Sequence, residues 1–129
     1  MIKFTINIPP RTKKNSQQII TVKGRPIIIP SKLYRQYEKD CEPFIPVLRQ
    51  PKPYIRIPVN LKCIYYMPTK RRVDLNNLLE ATTDMLVHYG VLEDDNSNIV
   101  YSHDGSRVYV DRDNPRTEIY IERVDVNGD

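Results

Sequence analysis

The segment from Lys70 to Asn96 constrains the fold of this chain more than any other. Within it, apolar residues recur at the spacing of one face of an α-helix, namely Leu75, Leu78, Leu79, Met85, Leu86 and Tyr89. Asp74 precedes this stripe at a position suited to an N-cap, and Gly90 follows it at a position suited to end a helix. Because an apolar stripe must be covered, the pattern predicts an amphipathic helix that packs on a β-sheet.

Polar side chains occupy the opposite side of the predicted helix. Asn76, Glu80 and Asp84 are spaced i, i+4 and i+8, which places them on one face. An acidic run at residues 93–95 follows the helix, so carboxylates are expected at both of its ends. If the residues after Gly90 fold back over the helix, the acidic run lies near the polar face.

The rest of the chain alternates strand and helix signals. Strands are predicted at residues 2–8, 18–22, 25–29, 59–67, 98–102, 107–110 and 117–124, with a further helix that begins at Ser31 and ends before Pro43 or Pro46. This order predicts an α/β fold with a single mixed β-sheet and two main helices packed on it. The length, 129 residues, predicts one domain over residues 1–129, with a polar tail from about residue 125.

The charge of the chain is unevenly distributed. Residues 1–72 contain 16 Lys and Arg against 3 Asp and Glu, whereas residues 73–129 contain 4 against 13. A basic half that meets phosphates and an acidic half that binds cations would suit a metal-dependent enzyme acting on nucleic acid. The alternative is that the two halves neutralise each other within the fold.

Composition also argues against a zinc-binding protein and against a membrane protein. Cys41 and Cys63 have no histidine partners at metal-binding spacing, so reduced, packed thiols are favoured over a disulfide, and a zinc site is disfavoured. The chain has no apolar run of membrane length, and its first residues alternate as a strand. A cytoplasmic protein without a membrane partner is therefore predicted.

Two basic segments are suited to contact the phosphate groups of a nucleic acid. One is a loop after Pro10 that offers several hydrogen-bond donors, and the other directly precedes Asp74. Together they comprise Lys13, Lys14, Asn15, Lys70, Arg71 and Arg72. A solvated turn would look much the same as the first of them, and that alternative stays open.

The motif Arg71-Arg72-x-Asp74-Leu-Asn76-Asn77, continued by a helix through Ala81 and Asp84 and by Gly90 with Asp94-Asp95, covers about residues 70–100. It resembles the signature of the RusA family of Holliday-junction resolvases. The resemblance implies a Mg²⁺-dependent homodimer that cuts four-way DNA junctions during recombination and repair, using three aspartates and a nearby lysine. Asp74 matches the first aspartate and Asp95 the last, whereas Asn76 stands at the second and Glu80 at the lysine.

On this resemblance, the expected catalytic and metal-binding residues are Asp74, Asn76, Glu80 and Asp95, with Mg²⁺ as the cofactor and Mn²⁺ as a substitute. We hypothesise that Asn76 keeps an amide oxygen for the metal and that Glu80 restores the lost negative charge. Asp84 and Asp94 are expected to support these residues. The alternative assigns an N-cap to Asp74, a solvated helix face to Glu80 and a turn anion to Asp95.

Three functions are compatible with these features. The first is an active junction endonuclease, the second a protein of the same fold that binds branched DNA without cutting it, and the third a protein that acts on flaps or RNA. Paired incisions in a two-fold symmetric junction require two active sites, in agreement with the implied homodimer. Candidates for dimer contacts are Tyr65, Tyr66, Tyr101 and Tyr109.

Overall fold

A computed structural model describes residues 1–13, 17–46 and 55–126 of the chain. Lys14 and Asn15, which were predicted to contact DNA, lie outside the described residues. The last residues of the predicted polar tail, 127–129, also lie outside them.

The described strands and helices follow the order predicted from the sequence. They are β1 (Ile2–Ile6), β2 (Gln17–Val22), β3 (Arg25–Pro30), α1 (Lys32–Cys41), β4 (Val59–Met67), α2 (Leu75–His88), β5 (Val100–Ser102), β6 (Arg107–Val110) and β7 (Arg116–Arg123). A short 3₁₀ helix over Glu42–Phe44 follows α1. None of the described helices is both long and apolar enough to cross a bilayer.

The main sheet is mixed and is built around β4. On one side, β7 pairs antiparallel with β4 and β1 pairs antiparallel with β7. On the other side, β5 lies parallel to the start of β4 and β6 lies parallel to its end. The mixed sheet and the two helices confirm the predicted fold class. Because β4 leads directly into residues 68–74, the basic segment begins at one end of this central strand.

The β2–β3 hairpin forms a separate two-stranded sheet, which adds to the single sheet expected from the sequence. Its turn is formed by Lys23 and Gly24, which both have positive φ angles (52° and 78°). Positive φ at both central residues is the geometry of a type I′ hairpin turn. Pro9 and Pro10 separate the hairpin from β1, since neither can donate a ladder hydrogen bond.

The core lies between β4 and α2. Alternate residues of β4 point to the helices and are buried, namely Val59, Leu61, Cys63 and Tyr65. A hydrogen bond of 2.7 Å joins the hydroxyl of Tyr65 to Oγ1 of Thr82 on α2. Tyr65 is only 1% exposed, so it is not available for the dimer contacts predicted from the sequence. Both thiols, Cys41 and Cys63, are buried and free.

The ends of α2 explain how the acidic run returns toward the helix. Gly90 has a φ of 76°, which a residue with a side chain rarely adopts. Its N–H donates to Val87 (3.1 Å), and the N–H of Val91 donates to Leu86 (2.8 Å), which together form a Schellman motif. Val91 and Leu92 are fully buried, so the chain folds back as the sequence suggested.

Helix α1 supports α2 from the side. Ser31 is its N-cap, as predicted, and accepts a hydrogen bond from the N–H of Tyr34 (3.2 Å). The hydroxyl of Tyr89, at the end of α2, donates to the carbonyl of Glu38 on α1 (2.6 Å). The two helices are therefore fixed relative to each other close to the end of α2.

Candidate active site

A cleft of about 260 Å³ lies between α2 and the segments that follow it. Its lining is rich in carboxyl and amide groups and comprises Asn76, Leu79, Glu80, Thr83, Asp84, Asp95, Val100 and His103. We refer to it as the acidic cleft. The predicted polar face of α2 supplies Asn76, Glu80 and Asp84, and the loop after α2 supplies Asp95. Four of the residues proposed from the sequence thus line one cleft.

Asp74 lies at the N-terminus of α2, two residues before the start of this lining. Its Oδ1 accepts a hydrogen bond of 2.9 Å from the N–H of Asn76, which makes Asp74 the N-cap. The side chain is exposed, and in the described part of the chain it is not among the residues that line the acidic cleft. Its capping role is therefore clear, and its exposed carboxylate keeps further lone pairs that accept no hydrogen bond from Asn76.

Asp94 and Asp95 form a hydrogen-bonded pair in the loop after α2, and Asp95 lines the cleft. The carboxylate of Asp94 accepts from the N–H of Asp95 (2.7 Å) and from Nδ2 of Asn96 (3.1 Å), and these bonds lower the pKa of Asp94. A hydrogen bond with the Asp94 carboxyl raises the pKa of Asp95, and repulsion from Asp94 and Asp84 adds to the effect. The hydrogen bonds that Asp94 accepts favour its ionised form, and its supporting role stays a prediction.

Lys13 connects the basic N-terminal loop to the acidic cleft. Its Nζ lies 2.9 Å from Oδ2 of Asp84, and about one third of each side chain is exposed. The same ammonium group lies 5.7 Å from the ring centre of Tyr34. Lys13, which was predicted to contact phosphates, is therefore paired with one of the cleft carboxylates. The two residues are far apart in the sequence, so the sequence did not indicate this pair.

His103 is a cleft residue that the sequence interpretation missed. Its Nδ1 lies 2.9 Å from the carbonyl oxygen of Leu61, which can only accept, so Nδ1 carries the proton and Nε2 is the acceptor of the neutral ring. The turn that holds His103 is fixed by Asn60, whose Oδ1 accepts from Oγ of Ser102 (2.6 Å) and from the N–H of Asp104 (2.7 Å). The sequence signal that could have indicated this residue is a histidine eight positions after Asp95.

The basic segment Lys70–Arg72 is exposed and lies immediately before Asp74. Arg71 and Arg72 also line a cavity of about 380 Å³, together with Arg11 from the loop after β1. Among the described residues, no carboxylate lies within 4.0 Å of these cationic groups. Cations therefore flank the N-terminal end of α2, where they are available to bind anions.

The donor set of the acidic cleft fits a hard divalent cation. It offers carboxylate and amide oxygens, which Mg²⁺ and Mn²⁺ prefer, together with one imidazole. No group of three or more His, Cys, Asp or Glu side chains within the described ranges is close enough to hold a metal on its own. Such a site resembles those in which Mg²⁺ keeps several waters and takes its remaining ligands from a phosphate.

Comparison with protein families agrees with this arrangement. Residues 7–122, which are most of the chain, match the family described as Endodeoxyribonuclease RusA. No curated protein matches the chain. The match includes β4, α2, the basic segment and the acidic cleft, and so is not confined to the short motif around Asp74. The chain therefore belongs to the RusA endodeoxyribonuclease family.

Proposed function

We propose that this protein is a divalent-metal-dependent endonuclease that cuts four-way DNA junctions. The observation that carries the proposal is the single cleft that collects Asn76, Glu80, Asp84 and Asp95 next to an exposed basic segment. Phosphodiester cleavage needs negative groups to bind a metal and positive groups to bind the strand. The acidic cleft offers the negative groups, and the basic segment that precedes α2 offers the positive ones. Family membership supports the same reaction class.

The residues proposed to hold Mg²⁺ or Mn²⁺ are Asp95, Glu80 and Asn76 in the cleft, together with Asp74, the N-cap of α2. When bound, such a cation neutralises charge on the phosphate and lowers the pKa of a water molecule. Asn76 contributes a neutral amide oxygen, and Glu80, one turn later on the same face, contributes the charge that Asn76 lacks. This is the compensated site proposed from the sequence.

The remaining side chains have roles in binding and proton transfer. Arg71 and Arg72 bind the phosphates of the strand, because their guanidinium groups are exposed beside Asp74. Lys13 keeps Asp84 neutralised until a phosphate arrives. The Nε2 atom of His103 is available to accept a proton at the cleft wall, since Nδ1 is already bonded to Leu61.

The compensated site is tested by comparing Glu80→Ala with Asp74→Asn. Asparagine is as good an N-cap as aspartate, so Asp74→Asn removes a charge without removing the cap. We expect Asp74→Asn to abolish cleavage of a synthetic junction, and Glu80→Ala to raise the Mg²⁺ concentration needed for half-maximal cleavage roughly 10- to 100-fold. Glu122→Ala, at an exposed glutamate of β7, is the matched control and should cleave normally.

The compensated site is wrong if Glu80→Ala cleaves as the unaltered protein does while Asp74→Asn is inactive. Junction, flap, linear duplex and RNA substrates compared in the same assay separate a junction enzyme from an enzyme with another substrate.

A second candidate function is junction binding without cleavage. Asp84 is already paired with Lys13, and the described residues contain no preformed set of three metal ligands. A protein that binds the junction but leaves it intact with both Mg²⁺ and Mn²⁺ would have this function. In either case we propose a homodimer, since paired incisions need two cleft copies. Sedimentation equilibrium measures that state directly.

A further inference from the structure

The β2–β3 hairpin forms a sheet of its own and carries apolar side chains into solvent. Ile19 and Ile28 lie directly opposite each other on one face, and they are 72% and 65% exposed. On the other face, Ile27 and Val22 are also exposed. A two-stranded hairpin is only marginally stable by itself in water, and neighbouring exposed apolar side chains mark a surface that binds a partner.

The register of the hairpin decides which backbone groups point away from it. Val22 and Arg25 flank the two-residue turn, so they form a hydrogen-bonded pair. Such pairs alternate along an antiparallel ladder with pairs whose N–H and C=O groups point outward. The outward-pointing residues are Gln17, Ile19 and Thr21 on β2, and Pro26, Ile28 and Pro30 on β3.

The two outer edges of the hairpin therefore differ. On β3, Pro26 and Pro30 have no N–H at two of the three outward positions, which blocks this edge for a further strand. On β2, every outward position has an N–H. Within residues 1–13, 17–46 and 55–126, the outward groups of Ile19 and Thr21 have no backbone partner. The open edge of the hairpin is β2.

The charge of β2 indicates what kind of partner this edge fits. Strand β2, with the sequence QQIITV, has no charged residue, although residues 1–72 contain 16 Lys and Arg against 3 Asp and Glu. A nucleic acid is bound through cations, so an uncharged edge does not suit it. Two copies of this basic half repel each other, and an uncharged strand is where they approach at least cost. A strand edge is also self-complementary, because two copies pair antiparallel across a two-fold axis.

We infer that β2 pairs antiparallel with β2 of a second copy of this chain, which joins the two hairpins into one four-stranded sheet. The inference rests on the proposed function, which needs two clefts, and it names the surface that brings them together. The two-fold axis places Ile19 opposite the partner's Ile19, and Thr21 opposite the partner's Gln17, as hydrogen-bonded pairs. On one face, Ile19 and Ile28 of both copies then form a continuous apolar row. The two cationic turns lie at opposite ends of this sheet and do not repel each other.

Chemical crosslinking tests the register. In the proposed sheet, the Cα atoms of the two Ile19 residues are about 5.5 Å apart, whereas those of the two Ile28 residues are three strand spacings, about 14 Å, apart. The full-length protein is treated with a short bismaleimide that spans one strand spacing but not three. We expect Ile19→Cys to form a covalent dimer and Ile28→Cys, the matched control on the same face, to remain uncrosslinked. The native thiols, Cys41 and Cys63, are buried and do not compete.

Sedimentation equilibrium tests the contact itself. Ile19→Lys places two ammonium groups opposite each other across the two-fold axis, which should raise the dissociation constant of the dimer roughly 100-fold or more. Leu33→Lys is the matched control, because Leu33 on α1 is 63% exposed and lies outside the hairpin. It should sediment as the unaltered protein does. Circular dichroism checks that both variants are folded.

The inference is overturned if the unaltered protein sediments as a monomer, if Ile19→Lys leaves the dimer intact, or if Ile28→Cys crosslinks as readily as Ile19→Cys. None of these measurements needs DNA or metal. A dimer that Ile19→Lys does not dissociate would therefore refute this surface and leave the proposed nuclease activity standing. A protein that dimerises through β2 but never cleaves would refute the nuclease activity alone.

Discussion

The buried hydrogen bond between α2 and β4 gives a quantitative test of how the helix that carries the acidic cleft is held. Thr82 is 4% exposed, and its hydroxyl donates its one proton to the carbonyl of Leu78 (2.9 Å). The Tyr65 hydroxyl, 2.7 Å away, must therefore be the donor to Thr82. Burial raises the pKa of Tyr65 well above its ordinary value, so this donor stays protonated at neutral pH.

Removing one or the other partner of this bond is expected to lower the free energy of unfolding by different amounts. Thr82→Val keeps the shape but leaves a buried hydroxyl without its acceptor, which should lower the free energy of unfolding by about 1–3 kcal/mol. Tyr65→Phe leaves Thr82 bonded to Leu78 and should cost about 0.5–1.5 kcal/mol. The double variant should lose less than the sum of the two single losses, since no unpaired hydroxyl remains.

Equilibrium urea unfolding, followed by far-ultraviolet circular dichroism, measures these differences. Thr83→Val is the matched control, because the Thr83 hydroxyl is also buried but bonds only within its own helix, to Leu79 (2.8 Å). We expect Thr83→Val to cost less than Thr82→Val. Equal losses for the two threonine variants, or strictly additive losses for Thr82→Val and Tyr65→Phe, would refute the assigned direction of the bond.

Two further predictions concern ion pairs. A double-mutant cycle with Lys13→Met and Asp84→Asn should give a coupling of about 0.5–1 kcal/mol in low salt and a smaller one in 1 M NaCl, measured by urea unfolding; zero coupling in low salt would contradict the pairing. A hydrogen bond from Arg116 lowers the pKa of Asp111 in the folded protein. The bond therefore stabilises the folded state fully at pH values above the ordinary pKa of a carboxyl group, and this stabilisation is lost as the pH falls through the lowered pKa of Asp111. The difference in melting temperature between the unaltered protein and Asp111→Asn should therefore shrink below about pH 4, and a difference independent of pH would contradict this.

The elements with strong local signals were predictable from the sequence. Helix α2 follows its N-cap Asp74 and ends before Gly90, as its spacing predicted, because neighbouring residues decide both the capping and the left-handed glycine. The hairpin turn at Lys23-Gly24 was predictable for the same reason. The placement of Asn76, Glu80 and Asp84 on one face follows from helical geometry alone.

The composition of the acidic cleft was only partly predictable, because it depends on contacts between distant parts of the chain. Lys13 meets Asp84 across 71 positions, and no local pattern specifies such a pair. The position of His103 depends on Asn60, which holds the turn from the neighbouring strand. Strands β5 and β6, which flank that turn, both pair with the same edge of β4 and not with each other. The nine residues of β4 are long enough to pair with both strands.

The pairing of Lys13 with Asp84 has a consequence for the order of binding at the proposed site. Several carboxylates in one cleft repel each other, and Lys13 offsets part of that repulsion in the absence of ligands. If the proposed function is correct, a phosphate strand competes with Asp84 for the same ammonium group. When Lys13 turns to the phosphate, the charge of Asp84 is no longer offset, and the cleft should attract a cation more strongly. We therefore expect binding of DNA and binding of metal to be linked, so that each increases the affinity for the other.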